Sequence, residues 1–177
     1  MERSKGRLPS KYQLGFDFVP SSEDLSPVDV MRFTYEVKED VQVISPEVAG
    51  AYLLSRVFTP FEAFSQEEVW VLLLNTKNRI THQSMIYRGT IDTAYIRIGE
   101  LFRPALKLNA ASIIMSHLHP SGDPEPSPQD LRVTELAYEA GNLLQVNLTD
   151  HIIVGRNQWL SLKSQGMGFG AAVSRPT

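Results

Sequence analysis

His117 and His119, followed by Ser127 after seven residues and by Asp130 after two more, are the side chains in this sequence best suited to chemistry. Two imidazoles and a carboxylate can supply three zinc ligands, which leaves one tetrahedral position open. An open position of that kind holds a water that the metal can activate. The chain contains no cysteine. Disulfides, thiolate nucleophiles and Cys-ligated zinc are therefore excluded, and a metal must rely on histidine and carboxylate. Ser127 and Asp130 also have a plainer reading, because Ser-x-x-acid is close to a helix capping box. The two readings are compatible, since a residue that caps a helix can also serve a site.

Such a cluster needs elements that aim it. Alternate residues of a strand share a face, so His117 and His119 converge if a strand delivers them. Residues 110–116, with Ile113, Ile114 and Met115, have the character of a buried strand. The loop from Pro120 to Pro126 cannot be regular structure, and Pro120, Pro124, Pro126 and Pro128 stiffen it. A helix is predicted to open at Ser127, with Leu131, Val133, Leu136, Ala140 and Leu143 as its apolar members.

Upstream, Ser45 is a candidate N-cap, with Pro46 at the first helical position and Glu47 in the first turn. Val48, Ala51, Leu54 and Phe58 follow at helical spacing, and Pro60 ends the pattern. Val69–Leu74 is the continuous apolar run expected of a central strand covered on both faces. Asn75–Asn78 reads as a hairpin turn, and residues 79–88 as the returning strand, closed by Gly89. A helix over 97–109 contains Pro104, which should kink it or displace its start. Closing strands are predicted over 146–154 and 159–162. These elements indicate an α/β (α+β) fold, a mixed β-sheet sandwiched by helices.

The 177 residues fit one main domain over 45–165, an extension over 1–44 and a mobile tail over 166–177. Residues 33–43 alternate like strand material, so the extension packs against the main domain or projects from it. A hydrophobic share of 42% is ordinary for a soluble globular protein, and a net charge of −3 argues against a strongly basic nucleic-acid surface. No apolar run reaches membrane-spanning length. Arg3, Lys5 and Arg7 lack the apolar core of a secretory signal, so the reading is cytoplasmic, with no membrane partner. Trp70 and Trp159 read as core residues, and His82 as an ordinary surface residue. His151 reads as a structural hydrogen-bonding group, with a place near the metal site as its alternative.

The His-x-His, Ser and Asp spacing resembles the JAMM (MPN+) metalloprotease signature. The longer run His119-Pro120-Ser121-Gly122-Asp123-Pro124-x-Pro126-Ser127 is similar to the RadC branch of that superfamily. Further likenesses are Leu74-Asn75-Thr76-Lys77-Asn78-Arg79, Arg88-Gly89-Thr90, Leu108-Asn109-Ala110-Ala111 and Asp150-His151-Ile152-Ile153-Val154-Gly155, in order along two-thirds of the chain. The resemblance implies a JAB/MPN, cytidine-deaminase-like architecture. It implies one zinc per chain, held by His117, His119 and Asp130. It also implies an upstream glutamate just before the first central strand. Glu67 matches that position, with Glu68 as the alternative, and the two should point to opposite faces of the strand. Leu118 stands where the family often has asparagine and should point away from the metal. Asn75 stands in place of a frequent aspartate. Longer RadC proteins carry an N-terminal helix-hairpin-helix region, of which residues 1–44 show no sign.

What the resemblance implies is a zinc metallohydrolase, a peptidase or isopeptidase. A zinc-bound water, activated by Glu67 as general base, attacks an amide carbonyl, and Ser127 donates to the oxyanion. The implied partner is a protein or peptide substrate. One alternative is a metal-dependent nuclease or DNA-repair-associated protein with DNA as partner, to which Arg3, Lys5, Arg7 and Lys11 could supply phosphate contacts. Another is a non-catalytic MPN interaction module. The sequence carries no reading of oligomeric state.

Overall fold

The structure, a computed structural model, describes residues 33–89 and 96–170. Its strands are β1 (Thr34–Glu36), β2 (Glu67–Leu74), β3 (Ile80–Gly89), β4 (Ser112–Leu118), β5 (Asn147–Gly155) and β6 (Gln158–Ser161). They form one sheet in the order β1-β3-β2-β4-β5-β6. Only β4 and β5 run parallel, and the connection between them is the long helix α3 (Pro128–Leu144). The other helices among the described residues are α1 (Pro46–Tyr52), which continues as a π-helical turn over Leu53–Val57, a 3-10 turn over Phe61–Ala63, and α2 (Ile98–Lys107).

The strict alternation of β2 divides the core. Val69, Val71 and Leu73, with Ile113 and Met115 of β4, pack against Leu101, Phe102 and Ala105 of α2 and Val133 and Ala137 of α3. Trp70, Leu72 and Leu74, with Ile114 and Leu118, pack against Ala49, Tyr52 and Leu53 on the opposite face. This is the expected mixed α+β sandwich, with both faces of the central strands covered. The hairpin after β2 forms where predicted: the Asn75 side chain accepts from the backbone N–H of Lys77 and Arg79, and Asn78 adopts φ +56°.

Several local expectations differ from the structure. In α1 and its π turn the buried residues are Ala49, Gly50, Tyr52, Leu53 and Val57; of the predicted stripe Phe58 is buried, Val48 and Leu54 are half-buried and Ala51 is exposed. The helix approaches so closely that a Cβ on Gly50 would lie 2.3 Å from the Trp159 ring. In α3 the buried positions are Asp130, Val133, Thr134, Ala137 and Gly141, whereas Leu136 and Leu143 are exposed. Pro104 sits inside α2 without ending it, and Leu101, Phe102 and Ala105 around it are fully buried. Their burial outweighs the hydrogen bond that the proline removes.

At the edges, Phe33 and Val43 lie in the core, β1 pairs with β3 and Gln42 bridges to Arg79, so this part of the extension packs against the main domain. Residues 1–32 lie outside the described residues. Of the segment read as a tail, Phe169 packs edge-on against Tyr138 of α3, and residues 171–177 lie outside the description. Among the described residues, no helix is long and apolar enough to cross a membrane.

Candidate metal centre

The register of the three central strands places the site at one end of the sheet. Val69 of β2 lies opposite His117 of β4, and Glu67 is two residues farther toward the strand's start, on the same face. Glu68 points to the other face. It accepts a hydrogen bond from Trp70 Nε1 at 2.8 Å and meets Arg88 at 3.2 Å, both within the buried layer. Period-two alternation thus separates adjacent glutamates into a site residue and a structural one. Leu118 likewise turns away from the site, into the α1 layer.

His117 is buried, 2% exposed, and Asp130 and Glu67 flank its ring. Its Nδ1 lies 2.7 Å from Asp130 Oδ1 and its Nε2 3.5 Å from Glu67 Oε2. With an ionised carboxylate as acceptor, Nδ1 carries the proton when the ring is neutral. Nε2 is then a lone pair, buried and without a hydrogen-bond partner.

His119 extends the parallel ladder by donating its backbone N–H to Val154 O at 2.9 Å. Its ring Nδ1 donates to the carbonyl of Asp123 at 2.8 Å, which leaves its Nε2 as a lone pair as well. That Nε2 faces Asp130 Oδ2 at 3.6 Å.

The Pro-rich loop is held in place by its neighbours. Gly122 O accepts from the backbone of Arg156 at 2.9 Å and from the side chain of Gln158 at 2.9 Å. A Cβ on Gly155 would lie 2.3 Å from Gly122 O, so only glycine allows this approach. The loop therefore fixes the Asp123 carbonyl that orients His119.

Asp130 is the third residue of α3, and Ser127 is its N-cap in a full capping box. The backbone N–H and the hydroxyl of Ser127 both donate to Asp130 Oδ2, at 2.7 and 2.6 Å, and Asp130 N donates back to Ser127 Oγ at 3.2 Å. One carboxylate thus ties the helix start to both histidines.

The electrostatics follow from this geometry. Burial opposes a charge on His117, but the hydrogen bond to Asp130 and the negative charges of Asp130 and Glu67 prevail, and its pKa is raised. Burial would likewise raise Asp130, but the hydrogen bonds from His117 and Ser127 and the neighbouring imidazoles hold it well below the usual carboxylate range. Burial, aided by the nearby His117, pushes His151 down to about 3, so its ring stays neutral.

The residues fit a divalent cation. Ligand atoms of Glu67, His117 and His119 lie within 4.8 Å of one another. The 3.5 and 3.6 Å separations from each Nε2 to a carboxylate oxygen are long for hydrogen bonds. They are close to the edge of about 3.4 Å between ligands that share a tetrahedral zinc with bonds near 2.1 Å. Two lone pairs and two carboxylates are therefore brought to one place, and Ser127 stands beside them. His82 lies away on the hairpin strand β3 and is half-buried.

Two residues beside the site were not singled out as a pair by the sequence: Thr134, and the His151 to which it bonds at 2.6 Å. The available signal was the spacing of four between Asp130 and Thr134, which puts them on one helix face.

A family profile described as RadC-like JAB domain matches residues 43–167. The chain is similar to a UPF0758 protein of Roseiflexus sp. (strain RS-1), 45% identical over 105 residues, covering 59% of this chain and 45% of the relative. It is similar to one of Chloroflexus aggregans, 40% identical over 133 residues, covering 75% and 56% respectively. A third, UPF0758 protein Lm4b_01560 of Listeria monocytogenes serotype 4b, is 42% identical over 129 residues, covering 73% and 56%. The chain spans about half the length of these curated relatives.

Proposed function

The chain belongs to the RadC-like JAB domain family, and on that premise we propose that it is a zinc-dependent hydrolase of amide bonds, a peptidase or isopeptidase. The observation that carries this reading is the pair of His117 and His119 Nε2 lone pairs, the first buried without a hydrogen-bond partner, converging on the carboxylates of Asp130 and Glu67.

His117, His119 and Asp130 would hold the metal. Zinc, when bound, supplies a Lewis acid that lowers the pKa of a coordinated water toward about 7. Glu67 is at the sheet end with a side chain 30% exposed, so it can take up a proton from water and return it to a leaving nitrogen. Ser127 lies at the helix start, where its hydroxyl can leave Asp130 Oδ2 and donate to a developing oxyanion.

The same side chains allow a second ligand set, Glu67 with His117 and His119. The 2.7 Å bond from His117 Nδ1 to Asp130 favours it, because a carboxylate so placed can orient a ligating histidine rather than ligate. Zinc content and hydrolysis of a fluorogenic peptide library separate the readings. If Glu67 is the base, Glu67→Gln keeps its zinc and loses hydrolysis by about 10²–10⁴-fold. In that case Asp130→Asn loses zinc. If Glu67 is a ligand, it is Glu67→Gln that loses the metal. A protein that binds no zinc, or one whose Glu67-dependent activity cleaves single-stranded DNA and no peptide, would overturn the proposal.

A further inference from the structure

His151 is fully buried on β5, in register with Met115, the residue two before His117. Its ring lies nearly parallel to that of His117, at 15° and 6.4 Å between centroids. His151 Nδ1 is 2.6 Å from Thr134 Oγ1, and Thr134 Oγ1 is 2.5 Å from the carbonyl oxygen of Asp130. A carbonyl only accepts, so the single hydroxyl proton of Thr134 goes to Asp130. The hydroxyl oxygen must then accept, which places a proton on His151 Nδ1. An unbroken pair of hydrogen bonds therefore runs from a ring anchored in the sheet, through Thr134, to the main chain of Asp130. Thr134 is hemmed in by the C-terminal segment: Gly168, at φ +74°, sits where a Cβ would be 2.8 Å from Thr134 Cβ and Cγ2.

We propose that His151 and Thr134 are a positioning pair that tethers Asp130, and with it the first turn of α3, to β5, so that the carboxylate meets both histidines. The pair touches neither metal nor substrate and acts through Asp130. The inference rests on the reading of His117, His119 and Asp130 as a metal centre. It holds whether Asp130 ligates or orients His117, since either role depends on where its carboxylate stands.

Thr134→Val keeps the shape of the side chain but removes both bonds, whereas Thr134→Ser keeps the hydroxyl. His151→Asn keeps an N–H near the place of Nδ1, and His151→Leu does not. Zinc affinity of the full chain, measured by competition with a chromophoric chelator, is compared with the Tm of the metal-free protein. Thr134→Val and His151→Leu are expected to weaken zinc binding about 10–100-fold. Thr134→Ser and His151→Asn are expected to restore it most of the way. If Thr134→Val lowers the Tm but binds zinc as tightly as the unaltered chain, the pair is only packing and the inference falls. Should Thr134→Val not fold, His151→Asn against His151→Leu decides in the same way. Asp130→Asn separates the two levels. If it leaves zinc affinity unchanged, the role of Asp130 at the centre fails. If it weakens binding while the Thr134 and His151 variants do not, only the positioning pair fails.

Discussion

Ser127 caps α3, and under the proposed function it would also donate to an oxyanion through the same oxygen; the two roles can be separated. Its Oγ accepts from Asp130 N and donates to Asp130 Oδ2. Glycine is nearly as good an N-cap, costing only about a few tenths of a kcal/mol. Ser127→Gly should therefore leave the Tm almost unchanged while peptide hydrolysis falls about 10²–10³-fold, as for loss of one oxyanion donor. Equal activity in the variant would reduce Ser127 to a cap. His117 supports a prediction about pH. Its raised pKa means that the metal-free site holds a proton where a free imidazole would not. Zinc must displace that proton, so apparent affinity falls as pH drops through the raised value, by about tenfold per pH unit below it. Calorimetric or competition titrations across neutral pH check this, and a flat profile would contradict it.

The elements show how closely the site depends on helix seating. α3 lies against β5 with Gly141 in the contact: a Cβ there would be 2.7 Å from Val146 O and 3.1 Å from Leu148 N. By helix propensity alone, Gly141→Ala should stabilise by about 1 kcal/mol. The backbone atoms it meets cannot yield as a side-chain end can, so the variant is expected to be destabilised by about 1–3 kcal/mol instead. A denaturant midpoint at or above that of the unaltered protein would show that the helix shifts freely. This seating also explains why only part of the apolar stripe expected of α3, Val133 with the half-buried Leu131 and Ala140, faces the core. Leu136 and Leu143 look like core residues but are exposed, because only small or hydrogen-bonded residues fit at the close contact. Hydrophobicity records transfer from water, whereas the gap between helix and sheet is a matter of volume.

For the whole molecule, a metal held at this site would couple binding to folding, since the site takes Glu67 from β2, the histidines from β4 and its end, and Asp130 from α3. Zinc at 100 times its Kd should stabilise the fold by about 2.7 kcal/mol if the unfolded chain does not bind it. That corresponds to a Tm rise of roughly 5–10 °C for a domain of this size, abolished by chelator. No shift on loading would argue against a centre built across these elements. Much of the architecture was legible along the chain. The β2 run, the Asn75–Asn78 turn, the strand that ends in His117 and the capped start at Ser127 all rest on local signals of alternation, turn chemistry and capping. Strand alternation also put Glu67 and Glu68 on opposite faces, whereas the preference for Glu67 came from the family resemblance. Contacts between distant segments stayed hidden: the sharing of Asp130 by both histidines, the Asp123 carbonyl that sets the His119 tautomer, and the His151–Thr134 tether. The sequence by itself determined which groups could meet a metal, because strand and helix periods are local properties of the chain. Only the tertiary structure decided how those groups are oriented, because each orientation is set by hydrogen bonds whose partners come from other elements of the fold.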